Sequence, residues 1–379
     1  MKLDISAYTK ILLRIARKVF KSAKPADWDD ELISRIFDDL AGAAQKGYGE
    51  KWIKFDPYHS PTVKLLQKNL FFFSVGKSMA ELQELNALLV DENGKMRDWP
   101  SFRDAVLKLN KRYNKAYLQA EWQTARASAQ QARIWNEAME VKDLYPNLEY
   151  VTARDDRVRD SHAKLDGIIR PIDDKFWDTH YPPNGWRCRC SVRSSDAEPT
   201  PENKIPHVDV HPHFRHNVGK IGQIFNEKQH PYFKYIECNK GLHASFEDCR
   251  KRFEKIADNE LANYTKKLVK RWARKNLVGK TITAKDKPSF VLSNRDVNTI
   301  LSKPHKDRWL RNMLLTDLER LYRESKLVYS KSENKGRSKY KYWYYYEVTV
   351  LGKKFYLNIK MLANGEKKLH AITDSLRKE

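Results

Sequence analysis

Cysteine is scarce in this sequence, with 4 residues in a chain of 379. So few cysteines exclude a disulfide framework, and they are expected to be free thiols or metal ligands. No apolar run approaches the ~18 residues of a membrane-spanning helix. Basic residues interrupt the first apolar stretch, at Lys10, Arg14 and Lys18, so we expect no secretory signal. The sequence therefore predicts synthesis in a reducing cytoplasm and no membrane partner.

Acidic residues are outnumbered, and the formal net charge is +23. Hydrophobic residues make up 41% of the chain and aromatic residues 12%, which excludes a disordered composition and favours two or three globular domains. A surface this basic attracts polyanions, and nucleic acid is the first candidate. The same charge also fits solubility or an acidic partner protein, and charge alone does not separate these interpretations.

The sequence predicts a multidomain chain whose first region, residues 1–98, is mainly α-helical. Apolar residues recur at helical spacing at Ile11, Leu12, Ile15 and Val19. A long helix is predicted to follow, with Ser101 as its N-cap, because neither Pro nor Gly occurs between Pro100 and Val141. Such stripes predict packing against other helices.

The next two regions are predicted to differ from it. Residues 99–200 lead from the long helix into an irregular α+β domain, because helical periodicity weakens after about residue 145. Residues 201–275 read as a histidine-rich linker followed by a basic helix over 244–276.

Residues 276–379 are predicted to form an α+β domain with an antiparallel meander. Helices are expected over 296–301 and 307–326. Alternating residues predict a strand over 340–350, whose even-numbered tyrosines face the core, and a second strand around 355–361. Asn364-Gly365 predicts a tight hairpin turn into a third strand at 367–373.

The central region contains a candidate metal site. Cys188-x-Cys190 places two thiols near each other, and His162 offers an imidazole, which is a ligand set that suits zinc. Asp166, His180 or a water would complete it. The alternative is a pair of buried thiols packed under Trp186 and Trp177, with His162 hydrogen-bonded to Asp166 or Asp173.

Four motifs occur between about residues 100 and 195. They are Tyr-Asn-x-Ala-Tyr-Leu-x-x-Glu at 113–121, Asp-x-Arg-Val-Arg-x-x-His at 155–162, Leu-Asp-Gly at 165–167 and Pro-Pro-Asn-Gly-Trp-x-Cys-x-Cys at 182–190. In these motifs the region resembles the phage Mu protein F-like head morphogenesis family. The resemblance implies a minor head protein that is made in a bacterial host cytoplasm and is present in few copies per virion. It also implies association with portal and capsid proteins inside the head, with some relatives accompanying the DNA.

Positive charge is concentrated in the C-terminal region. Residues 276–379 contain 23 Lys or Arg against 11 Asp or Glu, a formal net charge of +12. Cations hold phosphates while aromatic rings stack on bases, so Trp343, Tyr345, Lys339 and Lys341 are candidate nucleic-acid contacts. The alternative is that these rings only face the core of the sheet.

The order of elements in this region loosely resembles the barnase–EndoU–colicin–RelE-like nuclease superfamily, or related domains associated with phage polyvalent proteins. The first resemblance implies a metal-independent ribonuclease toxin with an immunity protein as partner. Such an enzyme needs a base, an acid and cations that stabilise the phosphorane. The candidates are His305 and His370 for acid–base work, Lys360 and Arg337 for the phosphate, and Thr373 and Tyr356 as helpers.

Three functions remain open at this point. The chain is a virion protein with a ribonuclease effector domain, or a purely structural one whose last domain is a nucleic-acid or portal adaptor. The third reading is a toxin against competing bacteria, in which the head-like domain serves for packaging.

Overall fold

The computed structural model describes residues 3–236, 246–332 and 340–376. The chain divides into two compact units, Met1–Gly49 with Pro61–Glu254 and Glu50–Ser60 with Lys255–Glu379. We call them the first and the second unit and describe each by itself.

The N-terminal part of the chain is helical, as the sequence predicts. One of its helix starts corrects the sequence reading: the N-cap is Asp98, whose carboxylate accepts a hydrogen bond from the backbone N–H of Ser101 at 2.7 Å, and Pro100 lies in the first turn. An aspartate is as good an N-cap as a serine, and proline is favoured just after it. The helices are α1 (Ile5–Ser22), α2 (Asp30–Tyr48), α3 (His59–Ala87), α4 (Trp99–Asn110) and α5 (Leu118–Glu140).

These helices bury the apolar stripes that the sequence shows. Ile11, Leu12 and Ile15 of α1 are each at most 5% exposed. Helices α2 and α5 pack closely, and Gly47 makes their approach possible, because a Cβ atom there would lie 1.9 Å from the carbonyl oxygen of Arg126. A side chain at position 47 would therefore push the two helices apart.

A π-helical segment, Lys111–Tyr117, joins α4 to α5 beside a buried ion pair. Lys77 is fully buried and donates to a carboxylate oxygen of Glu121 and to the carbonyl oxygen of Tyr113, both at 3.0 Å. Glu81 lies one turn along α3 and accepts a hydrogen bond from Asn114 at 2.7 Å. A polar network therefore lies in the helical core of the first unit.

The central region is irregular α+β, as predicted. It contains a small antiparallel sheet in the order β2-β1-β3, in which Tyr150 pairs with Val192. Residues 201–217 form a loop with two short 3₁₀ turns. The elements are β1 (Asn147–Val151), α6 (Asp160–Ala163), β2 (Ile169–Pro171), α7 (Phe176–His180), β3 (Ser191–Ser195) and α8 (Val218–Ile221).

The second unit is α+β, again as predicted. Its helix α10 begins with a capping box, in which Ser293 and Asp296 satisfy each other's backbone N–H groups. One prediction needs correction: 307–326 is not one helix, because a 3₁₀ turn divides it and the chain leaves the helix after Glu324. The elements before the large sheet are α9 (Phe246–Asn276), β4 (Thr281–Ile282), β5 (Phe290–Val291), α10 (Asn294–Ser302), α11 (Arg308–Leu314) and α12 (Leu318–Glu324).

A four-stranded antiparallel meander ends the chain. Its strands are β6 (Lys326–Ser332), β7 (Tyr340–Val350), β8 (Lys353–Leu362) and β9 (Lys367–Thr373), which pair in that order. The three predicted strands are confirmed, and β6 was missed. Tyr346, Val348 and Val350 are buried as expected, whereas Tyr342, at the start of β7, is 42% exposed.

Among the described residues, no helix combines the length and the apolar character that crossing a bilayer requires.

Candidate functional site

Three soft metal-ligand atoms converge in the first unit. His162 lies on the short helix α6, and Cys188 and Cys190 lie on the loop that enters β3. The loop turns sharply: the N–H of Cys188 donates to the carbonyl oxygen of Gly185 at 3.1 Å, and Arg187 adopts a left-handed φ of 60°. This turn brings both thiols to the same imidazole nitrogen.

The distances among these atoms are short. Nδ1 of His162 lies 3.6 Å from Sγ of Cys188 and 3.5 Å from Sγ of Cys190. The three residues are 6%, 6% and 7% exposed, and their ligand atoms all lie within 4.8 Å of one another. The set predicted from sequence spacing is therefore brought together in space.

The two thiols are not equivalent. The hydrogen bond with Cys190, assisted by His162, lowers the pKa of the Cys188 thiol. Interaction with Cys188, together with burial, raises the pKa of Cys190. The pair therefore favours one thiolate at neutral pH, which is the form in which cysteine binds metals.

Buried polar contacts fix the walls of this site. Tyr150 of β1 donates to Oδ1 of Asn184 at 2.8 Å, and Tyr181 donates to the carbonyl oxygen of Gln131 at 2.9 Å. The side-chain amide of Gln131 in turn donates to Oγ of Ser191 at 3.0 Å. The loop that contains Cys188 and Cys190 is thus tied to α5 and to β1.

The other ligand candidates lie elsewhere. Asp166 accepts hydrogen bonds from Thr152 and Arg154, and Asp173 pairs with Lys142. His180 contacts the carbonyl oxygen of Val208 at 2.9 Å through Nε2. The hydrogen bond from His162 to Asp166 or Asp173, which belonged to the alternative without a metal, is not formed, because both carboxylates take other partners and Nδ1 of His162 faces the thiols.

The sequence reading missed a cavity of about 640 Å³ on which both cysteines open. Gln123, Gln130 and five arginines line it, and no acidic residue of the described chain does. The only sign in the sequence is the clustering of arginine around the Cys-x-Cys motif. The five are Arg126, Arg157, Arg159, Arg187 and Arg189.

In the second unit the two candidate histidines have different surroundings. The side chain of His305 is 1% exposed, stacks on Phe355 at 5.8 Å between ring centroids, and lies 3.9 Å from Asp374. Burial lowers the pKa of His305. His305 therefore belongs to the packed interior of the unit.

His370 instead joins a group of cations and aromatic rings. Its Nε2 lies 2.5 Å from Nζ of Lys303, which follows α10. The ring of Trp343 lies 6.3 Å from the His370 ring and has Nζ of Lys360 at 3.5 Å from its centroid. Lys360 is 4% exposed, and Tyr340 covers it from another side at 4.6 Å. We call Lys303, Lys360, His370, Trp343 and Tyr340 the cation–aromatic cluster.

A β-bulge helps to form this cluster. Lys360 pairs with Lys368, as the hairpin turn predicts, but the register shifts between Asn358 and Ile359. Ile359 pairs with Leu369 and Asn358 with Ala371, so His370 is the extra residue.

The remaining candidates lie apart from it or outside the described chain. Tyr356 pairs with Thr373 and with Glu347, four residues along β8 from Lys360. Tyr345 is 4% exposed against Tyr329, and Lys341 is exposed. Arg337 and Lys339 lie outside the described residues.

Comparison with known proteins agrees with the resemblance. Residues 95–193 match the family model described as phage Mu protein F like protein, and residues 262–368 match large polyvalent protein-associated domain 3. The second match agrees with the expected polyvalent-protein-associated domain.

Two relatives align over short stretches. "Putative capsid assembly protein F" of Escherichia phage Mu is 47% identical over 74 residues, which is 20% of this chain and 16% of the relative. The Mu-like prophage FluMu F protein of Haemophilus influenzae is 42% identical over 71 residues, which is 19% of this chain and 17% of the relative. The alignments thus span about a sixth of each relative, and no solved structure matches the chain.

Proposed function

From the premise that residues 95–193 are a phage Mu protein F-like domain, we propose that this chain is a minor head protein that acts in phage head morphogenesis. The observation that carries the proposal is the 47% identity to the phage Mu protein named for capsid assembly. The proposed partners are portal and capsid proteins, and the proposed location is the interior of the virion near the portal. A net charge of +23 suits a position beside packaged DNA.

Co-assembly tests this role. The full chain, with an affinity tag, is produced together with the portal, scaffold and major capsid proteins of the phage or prophage that encodes it. Heads are purified by sedimentation, and the chain is quantified by mass spectrometry. We expect a few copies per head that remain after a high-salt wash. A chain that stays at the top of the gradient, while heads form normally without it, would contradict the proposal.

We further propose that the second unit binds and cleaves RNA, as an effector domain carried by the virion protein. The cation–aromatic cluster supports this proposal, because two lysines, a histidine and two aromatic rings meet there. Cations beside aromatic rings suit a single-stranded nucleic acid, whose phosphates and bases need both.

Cleavage without a metal requires a defined set of proton transfers. A base removes the proton of the 2′-hydroxyl, the 2′-oxygen attacks phosphorus, and the 5′-oxygen leaves with a proton from an acid. The product is a 2′,3′-cyclic phosphate and a free 5′-hydroxyl. We assign His370 as the base that takes the 2′-hydroxyl proton, the ammonium of Lys303 beside it as the acid that gives a proton to the 5′-oxygen, and Lys360 to the phosphate charge. His305, which is buried against Phe355, keeps the loop before α11 in place.

Single substitutions in the full chain test cleavage. His370→Ala and Lys360→Met are expected to lower the rate on a fluorescent RNA, in chelator, by roughly 10²-fold. His207→Ala in the first unit and Lys285→Ala in the second remove an exposed histidine and an exposed lysine that are not members of the cluster, and they should leave the rate unchanged. A folded chain that binds RNA, never cuts it with or without metal, and is harmless to bacteria would favour the adaptor function instead.

A further inference from the structure

The arginine-lined cavity and the thiol–imidazole set share a wall. Cys188 and Cys190 line the cavity, together with the five arginines. The sulfur atoms therefore lie between His162 on the buried side and a basic space on the other side. The two features together suggest one composite site.

The distances from the imidazole nitrogen to the two sulfur atoms fit zinc. Zinc binds thiolate sulfur at about 2.3 Å and imidazole nitrogen at about 2.0–2.1 Å in tetrahedral geometry. These bond lengths place a nitrogen and a sulfur ligand roughly 3.5 Å apart. The observed distances from Nδ1 of His162, 3.6 Å to Cys188 and 3.5 Å to Cys190, agree with that edge of the tetrahedron.

Among the residues that the structure describes, three protein ligands reach this point. Of the residues that the structure describes, His162, Cys188 and Cys190 form the one group able to share an ion. Asp166 and His180, which the sequence offered as a fourth ligand, bind other partners. Three protein ligands leave one position of a tetrahedral zinc for an outside ligand.

The cavity indicates what that outside ligand is. Guanidinium groups present paired N–H donors that match the oxygens of a phosphate. Arg189 is held by Asp155 in a bidentate ion pair, and Arg159 donates to the carbonyl oxygen of Trp186 at 2.6 Å. The cavity wall is thus anchored at these two arginines. The side chains of Arg126, Arg157 and Arg187 are exposed, and Arg157 lies 3.6 Å from the same Asp155.

We propose that His162, Cys188 and Cys190 bind one zinc ion and that its fourth position takes a phosphate oxygen, which the surrounding arginines hold. The phosphate comes either from free inorganic phosphate or from the backbone of a nucleic acid. The site needs neither head assembly nor RNA cleavage, so its test is separate from those of the proposed functions.

Metal content is the first measurement. The full chain purified without chelator should contain about one equivalent of zinc, measured by inductively coupled plasma mass spectrometry. Cys188→Ser and Cys190→Ser should each reduce it below about 0.2 equivalents. The other two cysteines of the sequence give matched controls, and Cys238→Ser and Cys249→Ser should keep the zinc. If the wild-type chain contains less than about 0.2 equivalents of zinc and is equally stable in chelator, Cys188 and Cys190 are a buried thiol pair and the proposal is overturned.

If the serine variants do not fold, cobalt substitution in the wild-type chain still tests the proposed ligand set. Replacing zinc with Co²⁺ in the wild-type chain should give the strong visible bands of a tetrahedral site and a thiolate-to-metal charge-transfer band. Octahedral cobalt bands without charge transfer would contradict the ligand set.

The fourth position is tested by titrating the cobalt form with inorganic phosphate and, in parallel, with a short DNA oligonucleotide. A shift of the visible bands with either probe supports the site, and the tighter probe identifies the source. Arg187→Ala or Arg157→Ala should weaken that binding about 10-fold. Arg103→Ala, an exposed arginine outside the cavity, is the matched control and should not. Bands that no probe moves, or that acetate moves equally well, would contradict the phosphate assignment.

Discussion

The two units both concentrate positive charge around a candidate site, but they build those sites in different ways. In the first unit, His162, Cys188 and Cys190 meet in the interior and open on an arginine-lined cavity. In the second unit, Lys303, Lys360 and His370 meet beside the rings of Trp343 and Tyr340. The first arrangement suits a soft metal ion, and the second suits a phosphate chain with stacked bases. A high net charge alone therefore does not identify a binding chemistry.

Each unit buries a cation, and the environment of that cation differs between the units. Lys77 of the first unit is paired with the carboxylate of Glu121. Arg311 of the second unit is 1% exposed and donates to three carbonyl oxygens around the end of α10, those of Ile300, Leu301 and Lys303. Removing each cation therefore has a different consequence.

The largest effect is expected from Lys77→Met. The substitution leaves the carboxylate of Glu121 buried without its ion-pair partner, which costs about 3–5 kcal/mol of the free energy of unfolding. Denaturant unfolding measures this loss. The double variant Lys77→Met/Glu121→Gln should recover most of it, because no charge is then left uncompensated. Equal losses in the single and the double variant would show that the ion pair is not the reason.

A smaller effect is expected from Arg311→Met. Three carbonyl oxygens lose a donor but no opposite charge is exposed, so we expect a loss of about 1–3 kcal/mol. The loop with Lys303 should also loosen, and RNA binding should weaken more than it does in Arg308→Met, an arginine on the same helix with its guanidinium partly exposed. Full RNA binding in a destabilised Arg311→Met chain would show that Arg311 does not position Lys303.

A still smaller effect is expected from Trp343→Ala. Stacking of a base on an aromatic side chain is worth about 1–3 kcal/mol, and part of it is offset here because the ring already covers Lys360. We expect RNA affinity to fall about 10-fold with an unchanged dependence on salt, since no charge is removed. Filter binding at several salt concentrations measures both quantities. A changed salt dependence would indicate that the substitution has displaced Lys360.

Of these substitutions, Glu81→Gln in the first unit is expected to change the free energy of unfolding least at acidic pH. Burial raises the pKa of Glu81 from 4.5 to about 8. Between pH 4.5 and pH 8 the folded chain keeps a proton on Glu81 that the unfolded chain releases. The contribution of Glu81 to the free energy of unfolding is therefore full below about pH 4.5 and is lost as the pH rises toward 8. The variant should match wild type within about 1 kcal/mol at pH 5 and lose less stability by pH 8. Parallel pH profiles of the two chains would contradict the raised pKa.

Local patterns in the sequence predicted much of the fold. They failed where contacts between distant parts of the chain determine the structure. Alternation and Asn364-Gly365 predicted β7, β8 and β9. Strand β6 was missed because it follows a helical pattern directly, and as an edge strand it leaves Leu327 and Val328 52% and 46% exposed. An edge strand with exposed apolar residues lacks the alternation of apolar and polar residues that predicts a strand.

The sites show the same limit. The Cys-x-Cys motif and His162 were found because two ligands share one short motif. The contact between His370 and Lys303 was not predicted, because it depends on a β-bulge and on a loop 67 residues away in the sequence. His305 and His370 look alike in the sequence, and only the packing against Phe355 separates them.

The difference between the two units can be measured in one experiment on the full chain. Zinc content and RNA cleavage are followed in the same sample while a chelator removes the metal. We expect zinc to fall from about one equivalent to less than about 0.2, while the cleavage rate stays the same, because none of the groups proposed for the acid–base work and the phosphate charge, His370, Lys303 and Lys360, needs a metal. A cleavage rate that falls in step with the zinc would contradict the assignment of separate chemistries to the two units, and a chain that neither binds zinc nor cleaves RNA would contradict both assignments.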